Sequence, residues 1–186
     1  MEFPLLILLS AAPVGAFDVI YFHLWKFRLF KRPESFKEEI THLLRGVLVP
    51  AITGILLLGQ PEGKWFWFVM FLFALDTLNS FLDVIFEPGS RAPRGVPPTE
   101  LAVHFVGITS MGAAWATFVL AGWQARLHSS VLRLHAVDFL PHWFLTFAAM
   151  GVFGAFLLAI FEAALFVRAL KQRSNNRVAE LAVGAG

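Results

Sequence analysis

KWFWFVMFLFALDTLNSFLDVIF, residues 64–86, is the stretch whose reading decides the fold. It is an unbroken apolar run opened by one lysine and interrupted only by Asp76, Asp83 and a few small polar residues. A helix rises about 1.5 Å per residue, so about 20 such residues cross a hydrocarbon core of about 30 Å. The run is therefore read as a transmembrane helix, with Trp65 and Trp67 as aromatic anchors at one interface. Its polar positions are ordered. Asp76, Asn79, Ser80, Asp83 and Glu87 fall at i, i+3, i+4, i+7 and i+11, which at 3.6 residues per turn makes a single stripe.

Working outward, four more segments have similar length and character. Toward the N-terminus, the turn Gly59-Gln60-Pro61-Glu62-Gly63 separates the run from an apolar segment at about Ile40–Leu58, and a first segment covers about Phe3–Phe30. A secretory leader carries basic residues ahead of its apolar region. Here Glu2 precedes it and Lys26, Arg28, Lys31 and Arg32 follow, so the segment is expected to be a retained span. Ser35-Phe36-Lys37-Glu38 reads as a capping box opening the second helix. Toward the C-terminus come a Pro/Gly/Arg loop from Glu87 to Pro98, a span at about Thr99–Trp123, a connection Gln124–Leu140 and a last span at about Pro141–Leu170. Pro141 suits a first helical turn. The connection carries Arg126, His128, Arg133 and His135 among Leu and Val, and is expected to form a short interfacial helix.

The expected fold is an all-α integral membrane protein, a bundle of about five transmembrane helices. The alternative is four spans plus an interfacial helix. Residues 1–170 form the bundle and residues 171–186 a polar, frayed cytoplasmic tail. Composition agrees. The 186 residues are 58% hydrophobic and 15% charged, with mean hydropathy +0.69, whereas soluble domains have roughly 45–50% apolar and about 25% charged residues. A net charge of +2 is too small to suggest nucleic acid. The absence of cysteine removes disulfides, thiolate ligands and cysteine nucleophiles.

Lysine and arginine bias orients the chain. The first loop holds Lys26, Arg28, Lys31, Arg32 and Lys37, the third Arg91 and Arg94, and the end of the chain Arg168, Lys171, Arg173 and Arg177. The second has Lys64 at its edge; the fourth has Arg126 and Arg133, which count against the assignment. The N-terminus is placed outside and the C-terminus in the cytoplasm, with a bacterial inner membrane as the expected location.

On that topology the polar residues gather toward the cytoplasmic ends. They are Asp18 and His23 on helix 1, Glu38, Glu39, His42 and Arg45 on helix 2, Asp76 to Asp83 on helix 3, Glu100 and His104 on helix 4, and Glu162 on helix 5. An ionisable group within a bilayer costs at least a few kcal/mol and marks a candidate functional site. Five embedded carboxylates (Asp18, Asp76, Asp83, Glu100, Glu162) face one clearly embedded fixed cation, Arg45.

Carboxylates mixed with imidazoles suit Fe, Mn or Zn. Bundles that hold carboxylate-bridged metals use Glu-x-x-His pairs with single carboxylates from other helices. Glu39-Ile40-Thr41-His42 has that spacing; Glu100 and His104 are one residue further apart. The expected ligands are Glu39, His42, Asp76, Asp83, Glu100, His104 and Asp18, for one ion or two, with Tyr21, Arg45, Asn79 and Glu162 supporting them. Helical phase turns His23 away from Asp18. The expected function is metal binding within the membrane, extending to metal-dependent catalysis on a lipid-soluble substrate reached from the cytoplasmic side.

Two other readings stand beside it. Arg45 could pair with Asp76 or Asp83, and the histidines with nearby carboxylates, making the cluster an internal clasp in a non-catalytic subunit of a larger membrane complex or a homo-oligomer. Alternatively His42 and His104 could ligate haem or a chlorophyll-type pigment. His128, His135 and His142 recur every seven residues, but Pro141 interrupts a helix through them. The chain has no glycine-rich phosphate loop, no His-Glu-x-x-His and no Gly-x-Ser-x-Gly. It offers no continuous polar path to the other face, which argues against a channel or transporter.

Overall fold

A computed structural model of the chain describes residues 2–91, 95–134 and 140–184. Arg94 and His135, used above in the orientation and histidine readings, lie outside them. The described chain is an up-and-down helical bundle. Helix α1 (Glu2–Phe17) continues as a π-helical segment (Asp18–Phe27), and two 3₁₀ turns lead into α2 (Phe36–Leu58). A short strand β1 (Gly59–Pro61) precedes α3 (Lys64–Ser90), followed by α4 (Pro98–Gly122), strand β2 (Leu132–Leu134) and α5 (His142–Gly184). Five helices are long and apolar enough to cross a membrane, including Glu2–Phe27 taken as one span.

Helix α1 packs on α4, and α2 on both α3 and α5. The apolar core is drawn from α1 to α4: Leu5 and Leu8, Leu48, Ile52 and Leu56, Phe66, Val69 and Phe73, then Met111, Ala114 and Phe118. Within this core Phe66 stacks on Phe118, with ring centroids 5.0 Å apart. Asp76, Asn79, Ser80, Asp83 and Glu87 are all buried on α3, so its polar stripe faces inward at the other end.

Close packing of α5 on α2 depends on a small residue. A Cβ added to Gly46 would lie 3.0 Å from the Ala159 Cβ. No proline interrupts α5 after its first turn, and its Ala, Leu, Lys, Gln and Arg favour helix. The segment from Lys171, expected to fray, therefore continues the helix to Gly184.

The connection after α4 also departs from expectation. Instead of an interfacial helix, its described part forms a 3₁₀ turn (Ala125–Leu127) and the strand β2, which pairs antiparallel with β1 through Gly59–Leu134, Gln60–Arg133 and Pro61–Leu132. The Gly/Pro turn after α2 leaves backbone groups unpaired, and β2 supplies their partners. Gly63 has φ +56, and a Cβ there would lie 2.7 Å from the His128 carbonyl oxygen. The buried Glu62 carboxylate ties the clip together, 3.2 Å from Arg133 and 3.5 Å from His128.

Leucine at position 46 must force α5 away from α2. Gly46→Leu is expected to destabilise the bundle by about 1–3 kcal/mol, read as a lower unfolding midpoint in detergent. An unchanged midpoint would show that the α2–α5 contact contributes nothing to stability.

Candidate metal centre

The first helix brings an unexpected residue to the site. In an α-helix, residues five apart point in different directions. The π-helical winding of Asp18–Phe27 bonds each residue to the fifth along and turns His23 back over Asp18. His23 Nε2 lies 3.8 Å from Asp18 Oδ2, so the expectation that the two point apart is corrected. The segment ends at Arg28, in the left-handed conformation (φ 50), whose N–H donates to the His23 carbonyl.

His23 meets His42 of α2 and His104 of α4. Ring centroids are 3.7 Å apart for His23–His42, 5.9 Å for His42–His104 and 6.4 Å for His23–His104. One nitrogen from each can be chosen so that all three lie within 4.8 Å of one another. All three residues are buried.

Carboxylates surround this triad. His42 Nε2 is 3.2 Å from Asp83 Oδ1, His104 Nε2 is 3.2 Å from Asp18 Oδ2, and His104 Nδ1 is 3.3 Å from Glu87 Oε2. The Thr41 hydroxyl donates to Asp83 Oδ1 (2.6 Å), with the Glu38 carbonyl equally near, and Asn79 Nδ2 donates to the Thr41 carbonyl (2.8 Å). Asp83 is thus held in place on the α2 side. His23 has no hydrogen-bond partner at either nitrogen among the described residues. Buried polar groups are ordinarily paired, so an imidazole left this way needs a physical account.

Beside the histidines sits a second group. The Arg91 guanidinium, at the C-terminal end of α3, spans Glu38 of α2 and Glu100 of α4. Its Nη1 donates to Glu38 Oε2 (3.0 Å), Nη2 lies 2.9 Å from Glu38 Oε1, Nε donates to Glu100 Oε2 (3.3 Å), and Nη2 also bonds Glu100 Oε1. The Ser90 hydroxyl also bonds Glu38, and the Phe27 ring stacks 4.5 Å from the guanidinium carbon. Burial works against the charge of Arg91; its bonds to Glu100 and the charge of Glu38 overcome this and raise its pKa.

This corrects the capping box. Ser35 makes no side-chain cap bond, and Glu38 turns instead to Arg91 and Ser90. A charge-assisted bidentate pair outweighs one bond to a backbone N–H.

Of the expected ligands, His42, His104, Asp18, Asp83 and Glu100 converge. Glu39 and Asp76 form no ion pair with the three histidines among the described residues, although Glu39 lies in the field of His42. Glu39 lies in the field of Glu162 on α5, and both carboxylates are buried with unpartnered oxygens. Asp76 lies 3.9 Å from Arg45 Nε, and Arg45 reaches across toward Gly107 of α4. Tyr21 stacks on Phe17 and contacts Phe22 and Trp25 rather than supporting the triad. The expected ligand set leaves out His23, Glu38, Glu87 and Arg91, although the sequence offers loop arginines such as Arg91 as partners for the embedded carboxylates. The last two carry a signal, since Glu87 and Arg91 extend the α3 stripe at i+11 and i+15 from Asp76.

No protein-family model, curated protein or solved structure matches this chain.

A buried polar group without a partner costs about 1–3 kcal/mol. His23→Leu is therefore expected to raise the stability of metal-free protein by about that amount in detergent denaturation. A loss of stability would mean that His23 is a satisfied structural histidine.

Proposed function

We propose that this chain is an integral membrane protein that binds a transition-metal ion inside its helical bundle, at the triad His23, His42 and His104. The observation that carries the reading is the convergence of these imidazoles: one nitrogen of each lies within 4.8 Å of the others, and neither nitrogen of the buried His23 has a hydrogen-bond partner among the described residues.

Charge supports it. Asp18, Glu38, Asp83, Glu87 and Glu100 are buried at the site, and among the described residues only the Arg91 guanidinium pairs with any of them as a fixed cation. A divalent ion reduces the remaining excess, and an imidazole and carboxylate donor set suits Zn, Fe or Mn. Asp83, fixed by Thr41, is placed to orient His42, the usual role of a carboxylate behind a metal-binding histidine. A small ion fits better than a tetrapyrrole. The His23 ring, 3.7 Å from His42, and the carboxylates about His104 favour a compact ion over a macrocycle.

The five long apolar helices support the membrane placement, and the lysine and arginine bias puts the metal end on the cytoplasmic side. Reached from that leaflet, a buried ion would act on a lipid-soluble substrate. The residues would hold the ion, orient the imidazoles and offer carboxylates for proton transfer. As an accessory subunit, the chain would instead use the same cluster as an internal clasp.

Elemental analysis of untagged protein purified in mild detergent tests this. About one equivalent of Zn, Fe or Mn is expected, lost in His42→Ala/His104→Ala and strongly reduced in His23→Leu. Absence of stoichiometric metal would overturn the reading and leave the clasp. In a companion titration, Asp83→Ala is expected to weaken metal affinity about 10–100-fold.

A further inference from the structure

The Arg91 clasp lies against the histidine centre rather than apart from it. Ligand atoms of His23, Glu38 and Glu100 fall within 4.8 Å of one another, as do those of Glu87, Glu100 and His104. These two sets share Glu100, and each includes a histidine of the triad. The first set defines a second cation position beside the triad, built of Glu38 and Glu100 with His23, and the second set brings Glu87 to Glu100 and His104. All are buried, and Glu87 Oε1 has no hydrogen-bond partner among the described residues. The guanidinium of Arg91 bonds two of the three carboxylates.

We infer that Arg91 acts as a built-in cation in a second metal position, so that the centre holds one ion where its carboxylates and histidines could hold two. The inference rests on the metal reading of the triad and adds its nuclearity and the role of Arg91. Paired ions in two-metal sites lie about 3.5–4 Å apart and share bridging carboxylates. Glu100, grouped with His104 of the triad in one set and with Glu38 in the other, has the place of such a bridge, and Arg91 engages both of its oxygens. A guanidinium carries a permanent charge and a planar donor fork suited to two carboxylates. It neutralises them as an ion would but offers no open coordination position. The centre is thus committed to one-ion chemistry beside a fixed positive group, which can stabilise negative charge developing on a bound substrate.

The test is Mn²⁺ stoichiometry on the full chain in detergent, by equilibrium dialysis and electron paramagnetic resonance. Wild type and Arg91→Lys are expected to bind one ion. Arg91→Ala is expected to bind two, with the exchange-coupled signal of a close pair. Arg91→Ala strands two buried carboxylates and could fail to fold. Glu38→Gln/Arg91→Met keeps the net charge, retains Glu87, Glu100 and His104, and is also expected to bind two. One ion in whichever of these variants folds, with one in wild type, would overturn the inference while leaving the triad intact. No ion in wild type but one in the variants would support the carboxylate position and overturn the histidine centre. No ion in any of them would overturn both.

Discussion

At the histidine end of the bundle, five buried carboxylates face one guanidinium. Asp18, Glu38, Asp83, Glu87 and Glu100 come from four stretches of chain, and among the described residues Arg91 pairs with Glu38 and Glu100. Removing ions from water costs several kcal/mol each even after relaxation, and that cost is recovered only through close partners. Packing of the first four helices at this end therefore depends on how the charge is shared. Arg91 joins α2 to α4 from the end of α3, Asp18 brings the first helix to His104, and Asp83 with Thr41 joins α3 to α2.

The other half of the bundle makes this arrangement tolerable. Its core of Leu, Ile, Val and stacked aromatic rings packs without charged side chains, and the polar residues lie to one side of it. Interdigitated apolar side chains fix the register of the helices, which in turn fixes which polar groups meet. Helix α5 contributes differently. It lies on α2 through Ala159 and Gly46, and its buried acid, Glu162, is a neighbour of Glu39 rather than part of the triad. The β1–β2 clip holds the opposite end, joining the chain after α2 to the chain after α4.

Much of the candidate site is legible in the residue pattern. The stripe on α3 placed Asp83 and Glu87 on one face, and the segment starts grouped His42, Glu100 and His104 at one end. Two rules misled. Ideal α-helical phase turned His23 away, because nothing local in DVIYFHLWKF announces that its backbone winds as a π-helix. The capping-box pattern assigned Glu38 to its own helix end, because local reading sees the nearby N–H and not the guanidinium 53 positions away. Glu39 enters the expected ligand set by its i, i+3 spacing from His42 and Asp76 by the α3 stripe, and neither spacing specifies which neighbouring helix each carboxylate meets.

By itself, then, the sequence determined five apolar helices, the turns between them and the end of the bundle that carries charge. Apolar run length, glycine and proline breaks and side-chain periodicity are all properties of local chain. Tertiary structure alone decided that His23, His42 and His104 meet, that Arg91 lies between Glu38 and Glu100, and that Leu132–Leu134 forms a strand on Gly59–Pro61. Each of these joins residues far apart in the chain, and each is fixed by helix rotation, local winding and the pairing of buried polar groups.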